Sequence, residues 1–531
     1  MPAHTARAAE THHGMRLPRC AGHMMRRRLR AGVRPAQSAP LPSQSIKMSL
    51  AMPTTPSLPV QFVRKLFTAI VASLSSRRAV LFGLALVAVG IVLPATRTWA
   101  RAPQPPNIVF IFTDDQRWDT VAALGNPEIQ TPNVDRLVRR GFHFTNAYCM
   151  GSMVGAVCLP SRTMVMTGRS LWHIPENPRS KVAPPGVPLL PVLLKNQGYV
   201  TFHCGKAGNS CTFGNAKFDT NISTRGRTPN SATEHADEAL KFLRAHDGSK
   251  PFFVYLAPPV PHDPRTAPPR FMEMYDPDKV TLSKNFMPRH PFDNGELKVR
   301  DELLAPIPRT KDVMRQHLAE YYATLSDMDH QVGRIMAELE RRGFADNTVV
   351  IYSSDQGLAV GGRHGLMGKQ NLYEHIKPPL VIAGPGIEQG KSDALVYLYD
   401  LFPTICQLAG APVPEVVEGS SLLGVVDGKQ AKVRDVLFGA YKNCQRMVRD
   451  DRWKLMQYNA DGVKNTQLFD LRNDPDELTN LADDPAHAQQ RQRLERLMVQ
   501  QRKQFDDPID FQAATLTART GAPSTVARSA N

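Results

Sequence analysis

The sequence predicts an α/β fold: a large mixed, mostly parallel sheet flanked by helices, followed by a smaller antiparallel sheet with its own helix. Three observations predict it. The runs at 107–112 (NIVFIF), 251–257 (PFFVYLA) and 348–354 (TVVIYSS) are almost continuously apolar, as strands buried on both faces are. Capped helical patterns lie between them. Beyond residue 432 the strand-like runs shorten to 436–441, 446–449, 454–457 and 467–471, a meander that suits an antiparallel unit. The expected organisation is a leader and export signal over 1–101, a catalytic domain over 102–432, a C-terminal subdomain over 433–508 and a frayed tail over 509–531.

The chain has 531 residues and a net charge of +16. Taken whole, that charge suggests a nucleic-acid or membrane binder. Its distribution excludes nucleic acid as the partner. Residues 1–101 hold 15 Lys or Arg against one acid, Glu10, and so carry +14, leaving +2 for 102–531. Residues 1–47 show neither a helical nor a strand period, so disorder is expected there, and Met48 and Met52 are alternative starts. Arg77-Arg78, the uncharged apolar run 79–95 and the small residues that follow have the order of an export signal, with core 77–100. The Arg pair suggests the twin-arginine route. The expected location is periplasmic or extracellular, with the membrane met only through this signal or through it as an uncleaved anchor. Cys20 lies in the leader; Cys149, Cys158, Cys204, Cys211, Cys406 and Cys444 form no evident disulfide framework, although Cys204 and Cys211 are close enough to pair. No Cys/His spacing indicates zinc.

The first apolar run ends in Thr113-Asp114-Asp115-Gln116. Adjacent carboxylates at the C-terminal end of a central strand stand where open α/β sheets bind ligands. Thr131, Pro132 and Gly141 read as the cap, first residue and stop of a short helix, and 142–149 as a strand. Pro160 follows Cys158 closely and marks a helix start that Gly168 ends, so Cys158 sits at a helix N-terminus, where free N–H groups and the dipole favour an anion. Arg162 lies one turn on. A helix over 189–196, closed near Gly198, leads to a strand over 199–204 ending in Gly205-Lys206. A helix over 232–246 precedes the 251–257 strand, after which His262 is held among Pro258, Pro259, Pro261 and Pro264. Residues 264–310, rich in Pro, read as a long ordered loop over the site. A long amphipathic helix follows over 311–342; Leu318, Tyr321, Tyr322, Leu325, Met328, Val332, Ile335, Met336 and Leu339 form its core stripe, and Gly343 stops it. The strand over 348–354 ends in Asp355-Gln356, parallel to the Asp114-Asp115 strand end. Three carboxylates and an amide make a hard oxygen cage that suits Ca²⁺ better than zinc, with Mg²⁺ the second choice. A strand over 380–383, a helix over 400–408, a connection over 419–432, the meander and a terminal helix over 488–505 complete the chain.

Cys158-Leu159-Pro160-Ser161-Arg162 resembles the signature of the type I, formylglycine-dependent sulfatases, in the alkaline phosphatase-like superfamily. Four further motifs, spread from about Pro106 to about Pro485, resemble that family in its own order. The resemblance implies that Cys158 is oxidised to formylglycine by a formylglycine-generating enzyme, and that one hydroxyl of the hydrated aldehyde attacks the sulfur of a sulfate ester. It implies a Ca²⁺ site from Asp114, Asp115, Asp355, Gln356 and position 158. It assigns sulfate contacts to Lys206 and Lys369, a contact with the bridging oxygen or the sulfate to His262, and a candidate substrate contact to His364. Arg162, Lys206, His262 and Lys369 would offset the charge that develops on the sulfuryl and leaving oxygens. The chain departs from the family at Ala207 and Gly208, where an aromatic residue and a His are usual. That His is thought to help deprotonate the hydrate; His203 and Asn209 are the nearest substitutes. The expected substrate is a sulfated carbohydrate or another sulfate ester. Two rival readings are a phosphate or phosphonate monoester hydrolase of the same superfamily and a non-catalytic binder of sulfated glycans.

Overall fold

The computed structural model describes residues 105–509 and 511; the leader, the export signal and residues 512–531 lie outside the described residues. The strands are β1 (Asn107–Thr113), β2 (Phe142–Tyr148), β3 (Gly151–Ser152), β4 (Val200–Lys206), β5 (Thr220–Thr224), β6 (Phe252–Ala257), β7 (Thr348–Ser354), β8 (Leu380–Ala383), β9 (Gly390–Tyr397), β10 (Leu437–Tyr441), β11 (Gln445–Arg449), β12 (Trp453–Ala460) and β13 (Val463–Asp470). Eight of them form one sheet in the order β5-β4-β6-β1-β7-β8-β2-β9. Every pairing in it is parallel except those of β8 with β7 and β2.

The apolar runs are buried on both faces because helices cover both. Ile108, Phe110 and Phe112 of β1 join one core cluster, while Val109 and Ile111 join another. The second face is closed largely by the helix Lys311–Arg341, through Met328, Val332, Ile335, Met336 and Leu339. Thr310 caps that helix by accepting from the Val313 N–H, and Gly343 follows it with φ 70°. Within it, a Cβ on Gly333 would lie 2.6–2.7 Å from side-chain atoms of Asn133, whose N–H and amide are both held by Asp329. Gly333→Ala should therefore part this helix from Pro132–Arg140 and cost about 1–3 kcal/mol of stability, read by urea unfolding.

The small sheet has the order β13-β12-β11-β10-β3. It is antiparallel except for β10 with β3, where Ala440 pairs with Gly151 and Tyr441 with Ser152. The stretch just before Cys158 is thus stitched into the C-terminal sheet. The helix Ala488–Gln504 packs Leu494 and Met498 into the same cluster.

Several elements differ from expectation. The strand ending in Gly205-Lys206 includes both residues. Strands β3, β5 and β9 appear where none was predicted, and the 419–432 connection contains a short helix, Leu423–Val426. Thr131 is the N-cap residue as expected, but its side chain makes no cap hydrogen bond; its hydroxyl donates to Asp135 and accepts from the Ala122 N–H. Cys204 and Cys211 are both free and buried rather than paired. Among the described residues no helix is long and apolar enough to cross a membrane.

Candidate active site

The strand register builds the site. β1 and β7 run side by side with Thr113 opposite Ser354, so Asp114-Asp115 and Asp355-Gln356 leave the sheet at the same edge. The Asp115 N–H donates to Asp355 Oδ1 at 3.0 Å. Asp115 has φ 71°, a left-handed conformation uncommon for a residue with a side chain. The Tyr321 hydroxyl supports that turn by donating to the Asp115 carbonyl and accepting from the Arg117 N–H at 2.9 Å. β6 lies on the other side of β1, and its extension pairs Pro261 with Asp114, which brings His262 to within 3.7 Å of Asp115. β4, next outward, ends in Lys206 at the same edge.

Cys158 is the first residue of the helix Cys158–Thr167 and is fully buried. Its Sγ lies 3.2 Å from Asp114 Oδ1 and receives Gln356 Nε2 at 3.2 Å and Lys369 Nζ at 3.5 Å. Burial, reinforced by Asp114 and Asp355, pushes the thiol far above its ordinary pKa. An unmodified Cys158 is therefore a neutral thiol at physiological pH, not a nucleophilic thiolate.

Cations surround it. Arg162 donates through Nε to Asp355 Oδ2 at 2.8 Å and through Nη2 to the Thr113 carbonyl at 3.1 Å, and its guanidinium lies over the Phe112 ring. Lys206 Nζ donates to both oxygens of Asp114 at 2.7 and 2.6 Å. Lys369 Nζ does the same to Asp115 at 3.0 and 2.7 Å. His262 Nδ1 is bonded to the Asp263 carbonyl, leaving Nε2 towards Asp115. Burial opposes ionisation of Asp114, yet Lys206, His262 and Arg162 hold it well below the carboxylate range. Burial wins at Asp355 and pushes it up to about 6.

The donor set fits a hard divalent cation. Oxygens of Asp114, Asp115 and Asp355 and the Cys158 sulfur all lie within 4.8 Å of one another. Gln356 Nε2 bonds Asp115 and Cys158, while its Oε1 is buried and accepts no hydrogen bond. A buried amide oxygen without a donor is costly, and a cation beside the carboxylates would satisfy it.

Cys158, Arg162, Lys206, His262, Lys369, Asp114, Asp115, Asp355 and Gln356 thus come together. His364 stands apart: its Nε2 is 2.9 Å from Glu374 Oε2, and its ring stacks on Tyr373. It supports the loop that carries Lys369, and none of its bonds reaches the carboxylates. Neither substitute for the missing histidine bonds a site group. His203 is bonded through Nδ1 to Asn221 and stacked on Tyr255, where burial lowers its pKa to about 4. Asn209 accepts from Arg179 at the surface.

Three residues at the site escaped the sequence reading. Tyr321 falls in the core stripe of its helix, and only its hydroxyl, useless in a purely apolar core, signals a second role. Asp301, from the long loop, accepts from Gln370 and lies 3.8 Å from Lys369 Nζ, so that loop does reach the site. Arg227 lies 3.8 Å from Asp114 and had no local signal.

Comparison with known proteins places the chain in a family. The profile of the family described as Sulfatase matches residues 106–411, and that described as N-sulphoglucosamine sulphohydrolase, C-terminal, matches 362–504. An arylsulfatase of Clostridium perfringens is 25% identical over 462 residues, covering 75% of this chain and 94% of the relative. An N-acetylglucosamine-6-O-sulfatase of Bacteroides thetaiotaomicron is 24% identical over 494 residues, covering 76% and 87%. Among solved structures, a protein in complex with its substrate D-glucosamine-2-N,6-O-disulfate superposes with a TM-score of 0.64 at 23% identity, over 77% of this chain and 100% of the other. A phosphonate monoester hydrolase of Agrobacterium radiobacter gives 0.63 at 20% identity, over 78% and 100%.

Proposed function

Because the chain belongs to the sulfatase family, we propose that it hydrolyses sulfate esters of carbohydrates outside the cytoplasm, using formylglycine made from Cys158. The observation that carries the reading is the placement of Cys158 at a helix start, between the carboxylate cage and four cationic or imidazole side chains. The names of the relatives, which include an N-acetylglucosamine-6-O-sulfatase, support a sulfated sugar as substrate. The Arg77-Arg78 pair and the apolar run after it support export.

Asp114, Asp115, Asp355, Gln356 and residue 158 would hold Ca²⁺. That ion would supply fixed positive charge against a sulfuryl oxygen. The charge balance supports it: three buried carboxylates face Arg162, Lys206 and Lys369, so a divalent cation leaves the site net positive toward an anionic ester. Formylglycine would supply a hydrated aldehyde with two hydroxyls in place of the thiol. Lys206 and Lys369 bind the sulfuryl oxygens and orient sulfur towards position 158. Arg162 stays on Asp355 and fixes the helix start. His262, whose Nδ1–H is held by the Asp263 carbonyl, presents Nε2 to the bridging oxygen; in its imidazolium form it gives the Nε2 proton to that oxygen as the S–O bond breaks and the alcohol departs, and is left neutral.

The test pairs mass spectrometry with turnover. Protein co-produced with a formylglycine-generating enzyme should yield the peptide 141–162 with the mass of an aldehyde at 158. It should release sulfate from sulfated sugars at least about 100-fold faster than phosphate from the matched phosphate esters. An intact thiol at 158 with sugar binding but no sulfate release would favour the non-catalytic binder, and a preference for phosphate or phosphonate esters would favour the phosphoryl hydrolase.

A further inference from the structure

Strand β5, which the sequence did not announce, adds one more segment to the catalytic edge of the sheet. It pairs in parallel with β4, Thr224 opposite Lys206, and the Ala207 N–H donates to the Thr224 carbonyl at 2.8 Å. The chain then turns at Gly226, φ 78°, so that Arg225 and Arg227 emerge beside Lys206. Between these segments lies a cavity of about 460 Å³, lined by Lys206, Ala207, Gly208, Asn209, Thr224, Arg225, Gly226, Arg227 and Pro259. No acid lines it.

Arg227 spans from this cavity to the reaction centre. Its Nη2 is 3.8 Å from Asp114 Oδ2, its Nε is buried and makes no hydrogen bond, and its side chain is 27% exposed. Arg225 is exposed and forms no ion pair among the described residues. Position 208 borders this open space: a Cβ there would meet nothing within 4 Å. A cation-lined pocket that opens next to the sulfate-binding lysine, with an unsatisfied guanidinium N–H, calls for an anionic group on the same substrate.

We infer that this cavity is a subsite for a second anionic substituent, sulfate or carboxylate, carried by the sugar whose sulfate ester is cleaved, and that Arg227 and Arg225 bind it. The inference rests on the reaction proposed above. It makes the natural substrate a polyanionic saccharide rather than a neutral sugar monosulfate.

Three probes decide it: an N-acetylhexosamine monosulfate, the corresponding N-sulfated disulfate, and a sulfated uronic acid. Binding is measured by calorimetry on Cys158→Ala, and sulfate release on the active enzyme. The disulfate, the uronate or both should bind at least about tenfold more tightly than the monosulfate, and which of them does so identifies the anion. Adding Arg227→Gln should remove that preference mainly through KM, Arg227→Lys should restore part of it, and Gly208→His should remove it by filling the cavity. Equal binding of all three probes, or a preference that survives both Arg227→Gln and Gly208→His, would overturn the inference. Calorimetry reads the cavity and sulfate release reads the reaction, so one can fail without the other.

Discussion

Cys158→Ala is expected to lower kcat/KM for a sulfated sugar by at least about 10⁴-fold, the scale seen when a nucleophile is removed from a group that acts as a unit. The fold should survive. The side chain is small, and its Sγ makes only weak sulfur contacts with Asp114, Gln356 and Lys369. Unfolding free energy should fall by less than about 2 kcal/mol. Steady-state sulfate release and urea unfolding on the same preparation check both halves. Lys206 and Lys369, the cations proposed above to bind the sulfate, are untouched, so the variant should keep its affinity for the substrate. A variant that turns over at the parental rate would show that Cys158 is not the source of the nucleophile, and a variant that is merely unfolded would show up in the urea curve. The large effect follows from position: the residue lies between Asp114, Gln356 and Lys369, and no other buried Cys among the described residues bonds a carboxylate.

The carboxylate edge was legible in the sequence because β1 and β7 are buried on both faces, and such strands leave uninterrupted apolar runs that end abruptly in charge. β5 and β9 were not. β5 is the polar edge strand TNIST, and the first half of β9 alternates exposed Lys391 and Asp393 with partly buried neighbours. Short half-polar edge strands carry no run long enough to separate them from loops. The same limit hid Arg227, since its relation to Asp114 exists only once β5 pairs with β4. It also misplaced His364. A histidine in a glycine-rich basic loop reads as a ligand for substrate, yet its Glu374 partner belongs to a buried network that continues through Glu477 to Lys454 in the small sheet. Glu477 stands within the stretch Asp474-Pro475-Asp476-Glu477, and its contact with the Lys369 loop appears only in three dimensions.

Asp355→Asn should have the second large effect, because this carboxylate serves two partners. It accepts from Arg162 Nε at 2.8 Å and from the Asp115 N–H at 3.0 Å, and it contributes to the oxygen cage. Burial already disfavours its charge in the metal-free protein, and Asp114 remains 3.8 Å from Arg162, so stability without Ca²⁺ should change by less than about 2 kcal/mol, while kcat/KM should fall about 10³-fold as the preorganised charge is lost. The pH dependence separates the two roles. In the metal-free protein burial raises the Asp355 pKa from its ordinary value to about 6. Its contribution to stability is therefore full below about pH 4 and is lost as pH rises through 6. Ca²⁺ competes with that proton, so the gain in Tm on adding Ca²⁺ should be small at pH 5 and grow to a plateau above about pH 7. In Asp355→Asn the gain should be small at every pH. Thermal unfolding from pH 5 to 8, with Ca²⁺ and with a chelator, makes the comparison. A gain in the variant equal to that of the parent would remove Asp355 from the cage and leave it as the anchor of Arg162 alone.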